Sequence, residues 1–172
     1  MTIAPERTRT IQTYRVYIKS PPQAIWDAIT KPKWTSKYGY AGLVEYELRV
    51  GGKFLIHAND GMKSVGMPDI ISDGEVIAAS PPRKLVQTWR MLMSPETTEE
   101  GFTHLEYEIQ AVRGGVTRLN VTHDLTGAPN FAALLAGENE TEGAGGGWSE
   151  VLSGLKTLLE TGDQLPFQSG PG

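Results

Sequence analysis

There is no cysteine among the 172 residues, which removes disulfides, thiolate metal sites and cysteine nucleophiles together. A chain of this length buries roughly 70% of the surface its unfolded form exposes, so it folds without such staples. The absence agrees with a reducing compartment, and a cytoplasmic location is expected. An excess of basic residues is also lacking. The net charge is −4 and the pI about 5.4, which argues against a broad surface for nucleic acid or anionic membrane. No apolar run approaches the ~20 residues of a membrane span. Residues 1–10 are polar, with Arg7 and Arg9 but no apolar stretch behind them, so no signal peptide is expected. The Asn-X-Thr sequons at Asn120 and Asn139 are then read as chance.

Several catalytic signatures are missing as well. Residues 143–147 are Gly-rich, but Trp148 stands where a dinucleotide fingerprint needs glycine, and no Gly-Lys-Ser/Thr follows. Gly-x-Ser-x-Gly is absent, which leaves a serine-hydrolase elbow without support. The glycine run reads instead as a flexible hinge.

What is present is a period of two. Tyr14, Val16 and Ile18 share one face of a strand, with Thr13, Arg15, Tyr17 and Lys19 on the other. Ser20-Pro21-Pro22-Gln23 reads as a capped helix start with a capping box, and Ile25, Trp26 and Ile29 form its apolar face. A second short helix is expected over 34–40. Strands follow over 44–48, 53–58, 74–79, 85–93, 103–112 and 117–125, joined by short connections such as Gly51-Gly52 and Gly114-Gly115, with Asn59-Asp60-Gly61 as a hairpin signal. About seven strands on hairpin-length links make an antiparallel sheet. Residues 126–147 carry little regular pattern beyond an apolar patch and read as a functional or mobile segment, a candidate lid. Trp148, Val151, Leu152, Leu155, Leu158 and Leu159 then recur at helical spacing. Gly154 inside that helix predicts a close approach to the sheet.

The expected fold is α+β: a curved antiparallel sheet of six to seven strands around a long C-terminal helix, with two short helices after the first strand. Residues 10–161 form one domain, with 1–9 a flexible N-terminus and 162–172 a disordered tail. One helix does not fill such a concavity, so an apolar cavity is expected.

The ordered set of Pro21-Pro22 with Ile25-Trp26-Asp27-Ala28-Ile29-Thr30, Arg49-Val50-Gly51-Gly52-Lys53-Phe54, Gly74-Glu75-Val76, Pro81-Pro82-Arg83-Lys84-Leu85-Val86, Thr88-Trp89 and Gly147-Trp148 resembles a known family. It is similar to the activator-of-heat-shock-protein-ATPase-like branch of the START and birch-pollen-allergen superfamily, whose fold is the helix grip. The resemblance implies one of three roles: a carrier of small ligands, a co-chaperone-like interaction module, or a polyketide cyclase or dehydratase.

Candidate residues follow from the inward faces. Trp26, Trp34, Trp89 and Trp148 come from four elements that border the concavity, and Phe54, Tyr107 and Leu152 join them as its wall. Gln87 lies inward between Leu85 and Trp89, where an unpaired amide costs about 1–3 kcal/mol. His123 shares the inward face of Leu119 and Val121. It is either a general acid/base or ligand anchor, or a satisfied histidine bonded to a backbone carbonyl. No carboxylate is placed to orient it, which favours the latter. His57 and His104 face solvent, so the histidines do not converge on a metal. The sequence thus predicts a binder of a small apolar, aromatic or amphipathic molecule, linked to stress by the resemblance, with no cofactor and no catalytic residue. A chaperone partner is the alternative, and the chain is expected to be a monomer or weak homodimer.

Overall fold

A computed structural model describes residues 9–166; the expectations for residues 1–8 and 167–172 lie outside the described residues. The first strand, β1 (Ile11–Lys19), leads into α1 (Pro22–Thr30) and the single turn α2 (Pro32–Thr35). A meander follows: β2 (Leu43–Tyr46), β3 (Lys53–His57), the short α3 (Asp60–Ser64), β4 (Ile70–Ser80), β5 (Lys84–Met91), α4 (Pro95–Glu100), β6 (Thr103–Arg113) and β7 (Val116–Asp124). Then come α5 (Pro129–Leu135), a 3₁₀ turn over Glu140–Glu142, and α6 (Gly147–Thr161). The strands form one antiparallel sheet in the order β1-β7-β6-β5-β4-β3-β2, so β1 and β2 are its edges. This is the expected architecture, with seven strands.

Period-two burial decides which side of the sheet is covered. On β7, Thr117, Leu119, Val121 and His123 are buried, and on β6 so are Thr103, Leu105, Tyr107 and Ile109. The covering layer is α1, α5 and α6, which contribute Ile25, Trp26, Phe131, Leu135, Trp148, Leu152 and Leu155 to one core. Helix α6 lies along β1. Its Lys156 Nζ donates to the Tyr17 carbonyl at 2.7 Å and its Glu160 carboxylate accepts from Lys19 N–H at 3.0 Å.

Several local expectations are corrected. The capping box at Ser20 does not form: Pro21 is the N-cap of α1 without a side-chain bond. The Ser20 carbonyl accepts from Thr117 Oγ1 at 2.6 Å, and Gln23 bonds Asp27 at 3.0 Å. The second helix spans only Pro32–Thr35 rather than 34–40, because Tyr38 turns in to donate to the Ala28 carbonyl. Asn59-Asp60-Gly61 is not a hairpin turn. Asn59 Oδ1 accepts from Met62 N–H at 2.8 Å and caps α3. Between β5 and β6, where no element is expected from the sequence, α4 forms and is capped by Ser94.

Two glycine readings also change. A Cβ at Gly154 would meet Tyr38 Cβ at 3.3 Å, so the close approach is to the loop after α2, not to the sheet. Gly147 has φ +69 and a Cβ there would lie 2.2 Å from the Leu135 carbonyl oxygen. The glycine that opens α6 therefore lets two backbones touch, where the sequence suggested a flexible hinge.

Candidate functional site

The strands bring Trp89, Thr103 and His123 together because each lies on an inward face in adjacent register. Trp89 faces Thr103 across β5–β6, and Leu105 faces His123 across β6–β7. Thr103 and His123 are thus diagonal neighbours, with His123 Nε2 and Thr103 Oγ1 2.7 Å apart. The first turn of α6 then lowers Trp148 onto the pair, its Nε1–H donating to His123 Nδ1 at 3.2 Å.

This geometry dictates the tautomer. An indole nitrogen only donates, so Nδ1 is the acceptor and the proton sits on Nε2. Nε2–H donates to Thr103 Oγ1, whose own hydroxyl donates to the Trp89 carbonyl at 2.7 Å. The chain of bonds runs from Trp148 through His123 and Thr103 to the backbone of Trp89. His123 is 0% exposed, and burial pushes its pKa down to about 3, opposed by Asp124 and aided slightly by His104. A neutral ring with both nitrogens engaged is a structural linchpin, not a poised general base. The expectation of a satisfied histidine holds, but its partners are side chains and not a backbone carbonyl.

Aromatic rings close around this relay. Trp89 stacks on His123 with planes 6° apart and centroids at 5.5 Å. Phe54, Phe131 and Trp148 meet Trp89 edge-on at 6.0, 5.3 and 5.8 Å, and Tyr107 meets Trp148 at 6.1 Å. The quadrupole of each ring favours these edge-to-face arrangements. The indole Nε1–H of Trp89 is buried and has no acceptor among the described residues.

Gln87, fully buried, is satisfied within the protein: its Oε1 accepts a short hydrogen bond from the Tyr46 hydroxyl. Burial pushes the phenols of Tyr46, Tyr107 and Tyr38 well above their ordinary value, so all three are neutral; Tyr46 and Tyr38 donate to Gln87 Oε1 and the Ala28 carbonyl.

Of the residues singled out from sequence, Phe54, Trp89, Tyr107, His123 and Trp148 converge directly, with Gln87 two residues along β5 from Trp89. Trp26 and Leu152 are in the same core on α1 and α6. Trp34 is not brought into the ring cluster; it is half-buried under the ammonium groups of Lys33 and Lys37, at 5.5 and 5.1 Å. The expected cavity is occupied by these side chains. Among the described residues, a small recess lies elsewhere, beside Tyr38 and Gly154, and an open one of about 370 Å³ lies at Pro21, Pro22 and the 111–117 hairpin.

Sequence reasoning missed Thr103, Tyr46 and Phe131. Thr103 and Tyr46 were visible as inward positions two residues from Leu105 and Val44. Phe131 lies in α5, within the segment read as irregular; Pro129 at the first helical position and Leu135 four residues beyond Phe131 were its signal. Among the described residues no group of three or more His, Asp or Glu side chains is placed to hold a metal, and no helix is long and apolar enough to cross a membrane.

A family profile described as "Activator of Hsp90 ATPase homolog 1-like protein" matches residues 19–160. The chain belongs to this family. No curated protein matches its sequence. Among solved structures it resembles an HSP90 activator from Plasmodium falciparum at 19% identity and TM-score 0.59, covering 87% of this chain and 95% of that one. It also resembles the Aha1 dimer from Colwellia psychrerythraea at 19% identity and TM-score 0.61, covering 89% and 98%. CalU16 from Micromonospora echinospora matches at 18% identity and TM-score 0.52, covering 78% and 79%. At these identities the likenesses establish the helix-grip fold of this family member.

Proposed function

We propose that this family member binds a small apolar or amphipathic molecule against the inner-face ring cluster, with Trp89 donating a hydrogen bond to it. The observation that carries the reading is the Trp89 N–H, buried without an acceptor among the described residues. Such a donor costs about 1–3 kcal/mol when left unpaired. A ligand oxygen would remove that cost, while a flat or acyl body gains ~25 cal/mol per Å² of apolar area buried against Phe54, Phe131 and Trp148. Room for it requires Phe131 to swing away on α5, the shortest of the covering helices. The relay through His123 holds the floor of the site and moves no proton, so a cyclase or dehydratase role has the least support.

Trp89 fluorescence and thermal shift with a library of lipids and aromatic compounds test the reading. At least one acceptor-bearing compound should stabilise the protein, and Trp89→Phe should weaken it about tenfold. No stabilisation or spectral shift across the library would overturn ligand binding. Equal affinity in Trp89→Phe would overturn the role of Trp89.

A second reading, a co-chaperone-like interaction module, is favoured by Val50 and Val65, which are 76% and 75% exposed on the β2–β3 turn and after α3. The likeness to a Plasmodium HSP90 activator supports it. Retention of a heat-shock ATPase from native lysate, lost in Val50→Asp, would favour it over the ligand binder.

A further inference from the structure

On the opposite, solvent-facing side of the sheet, three guanidinium groups surround one tyrosine at the β1 edge. Tyr17 is paired with Arg118 across β1–β7, Arg15 lies two residues away on the same face, and Arg113 stands over the Tyr17 ring at 5.9 Å. Arg15 Nε donates to Asn120 and Arg118 Nη2 to Gln110, at 2.8 Å each. None of the three arginines forms an ion pair among the described residues, and Arg118 Nε is buried without an acceptor. Two nearby carboxylates are engaged, Glu106 with Lys84 and Glu160 with Lys156 and Lys19 N–H; Glu108, opposite Asn120 and diagonal to Arg118, forms no ion pair with these arginines among the described residues. An arginine cluster left unpaired on a chain of net charge −4 is a local field of the opposite sign.

The backbone edge of β1 is open over its first half, Ile11 to Arg15. Leu125 N–H donates to the Thr10 carbonyl, and in an antiparallel pair the bonded positions alternate. The even residues of β1 therefore bond β7, and the odd ones turn their N–H and C=O away from the sheet. Helix α6 confirms this by engaging the Tyr17 carbonyl and the Lys19 N–H. The outward groups of Ile11, Thr13 and Arg15 have no such cover among the described residues.

We infer that the β1 edge accepts an extended acidic segment of a partner protein as an eighth strand. Main-chain bonds at Ile11, Thr13 and Arg15 would supply register, and carboxylates on alternate residues would pair with Arg15 and Arg118. A second copy of this chain is disfavoured there, because antiparallel pairing of two β1 edges brings like charges together. Nucleic acid is disfavoured by the net charge of the whole molecule. This inference is independent of the ring cluster on the other face.

The test is fluorescence anisotropy of labelled peptides with alternating Val and Glu, against an alternating Val and Lys control, at low salt and with the whole chain. The Glu peptide should bind and the Lys peptide should not. Arg15→Glu and Arg118→Glu should each weaken binding about tenfold or more. Thr13→Pro removes an N–H that faces away from β7, so the fold is kept while strand addition is blocked. Thermal melts of each variant verify folding. Failure of the Glu peptide to bind, binding unchanged by the charge reversals, or binding unchanged by Thr13→Pro would each overturn the inference. So would self-association through this edge in ultracentrifugation, or preference for an oligonucleotide over the Glu peptide.

Discussion

His123 is a buried imidazole that the fold keeps neutral, and this has a consequence for pH. Its folded pKa is lowered from 6.5 to about 3 by burial, whereas the unfolded side chain takes up a proton near pH 6.5. Below about pH 6.5 the unfolded state binds more protons, so its contribution to stability is complete above that pH and falls as pH drops toward 3, by up to about 1.4 kcal/mol per unit. Glu45, Glu106, Asp124 and Glu160 are held below their ordinary range by hydrogen bonds and add losses in the same direction at lower pH. The window between about pH 5 and 6.5 therefore isolates the histidine. Denaturant unfolding should show the slope there in the parent protein and little of it in His123→Gln; an unchanged slope would sink the assignment. At the same scale, Tyr46→Phe leaves the Gln87 oxygen buried without its donor and should cost about 1–3 kcal/mol, read as a lower denaturation midpoint at unchanged slope.

At the scale of elements, the proposed binding mode makes α5 the door to the ring cluster. Its first turn is held from outside by Glu100 at the end of α4, whose carboxylate oxygens accept from Asn130 N–H at 2.7 Å and Phe131 N–H at 3.0 Å. This is a helix cap supplied by another helix, worth about 1 kcal/mol. Glu100→Ala should speed hydrogen exchange of the α5 amides while leaving β6 and β7 protected, and should accelerate ligand association if Phe131 is the door. The junction of α5 and α6 is less forgiving. Gly147→Ala combines a left-handed backbone with a contact of 2.2 Å to the Leu135 carbonyl, and should lower stability by about 2 kcal/mol or more in thermal melts.

Across the whole molecule, one core joins the sheet to α1, α5 and α6, so it should unfold in a single transition. Trp89 and Trp148 report the sheet–helix contact directly, and far-UV circular dichroism reports the strands and helices together. The two denaturation curves should coincide; an earlier fluorescence transition would mean that α6 leaves the sheet before the strands come apart. The charge asymmetry belongs to this scale too. An acidic surface carries one arginine-rich edge, and an association there should weaken with salt more steeply than ligand binding in the apolar core.

Periodicity is a local property, and what it governs was readable from the chain alone. The seven antiparallel strands, the inward faces that carry Gln87, Trp89, Tyr107 and His123, and the apolar stripe of α6 all follow from spacings of two and 3.6 residues. Residues whose conformation depends on a distant partner were not readable: Ser20 forgoes its cap because Thr117 claims its carbonyl, and α5 is completed by Glu100 on α4. The state of His123 is of the second kind. The sequence determined that it points inward. Only the tertiary structure decided that it is inert, because its proton is placed by Trp148, 25 residues along the chain, and by Thr103, 20 residues away, and packing removes the water that would otherwise charge it.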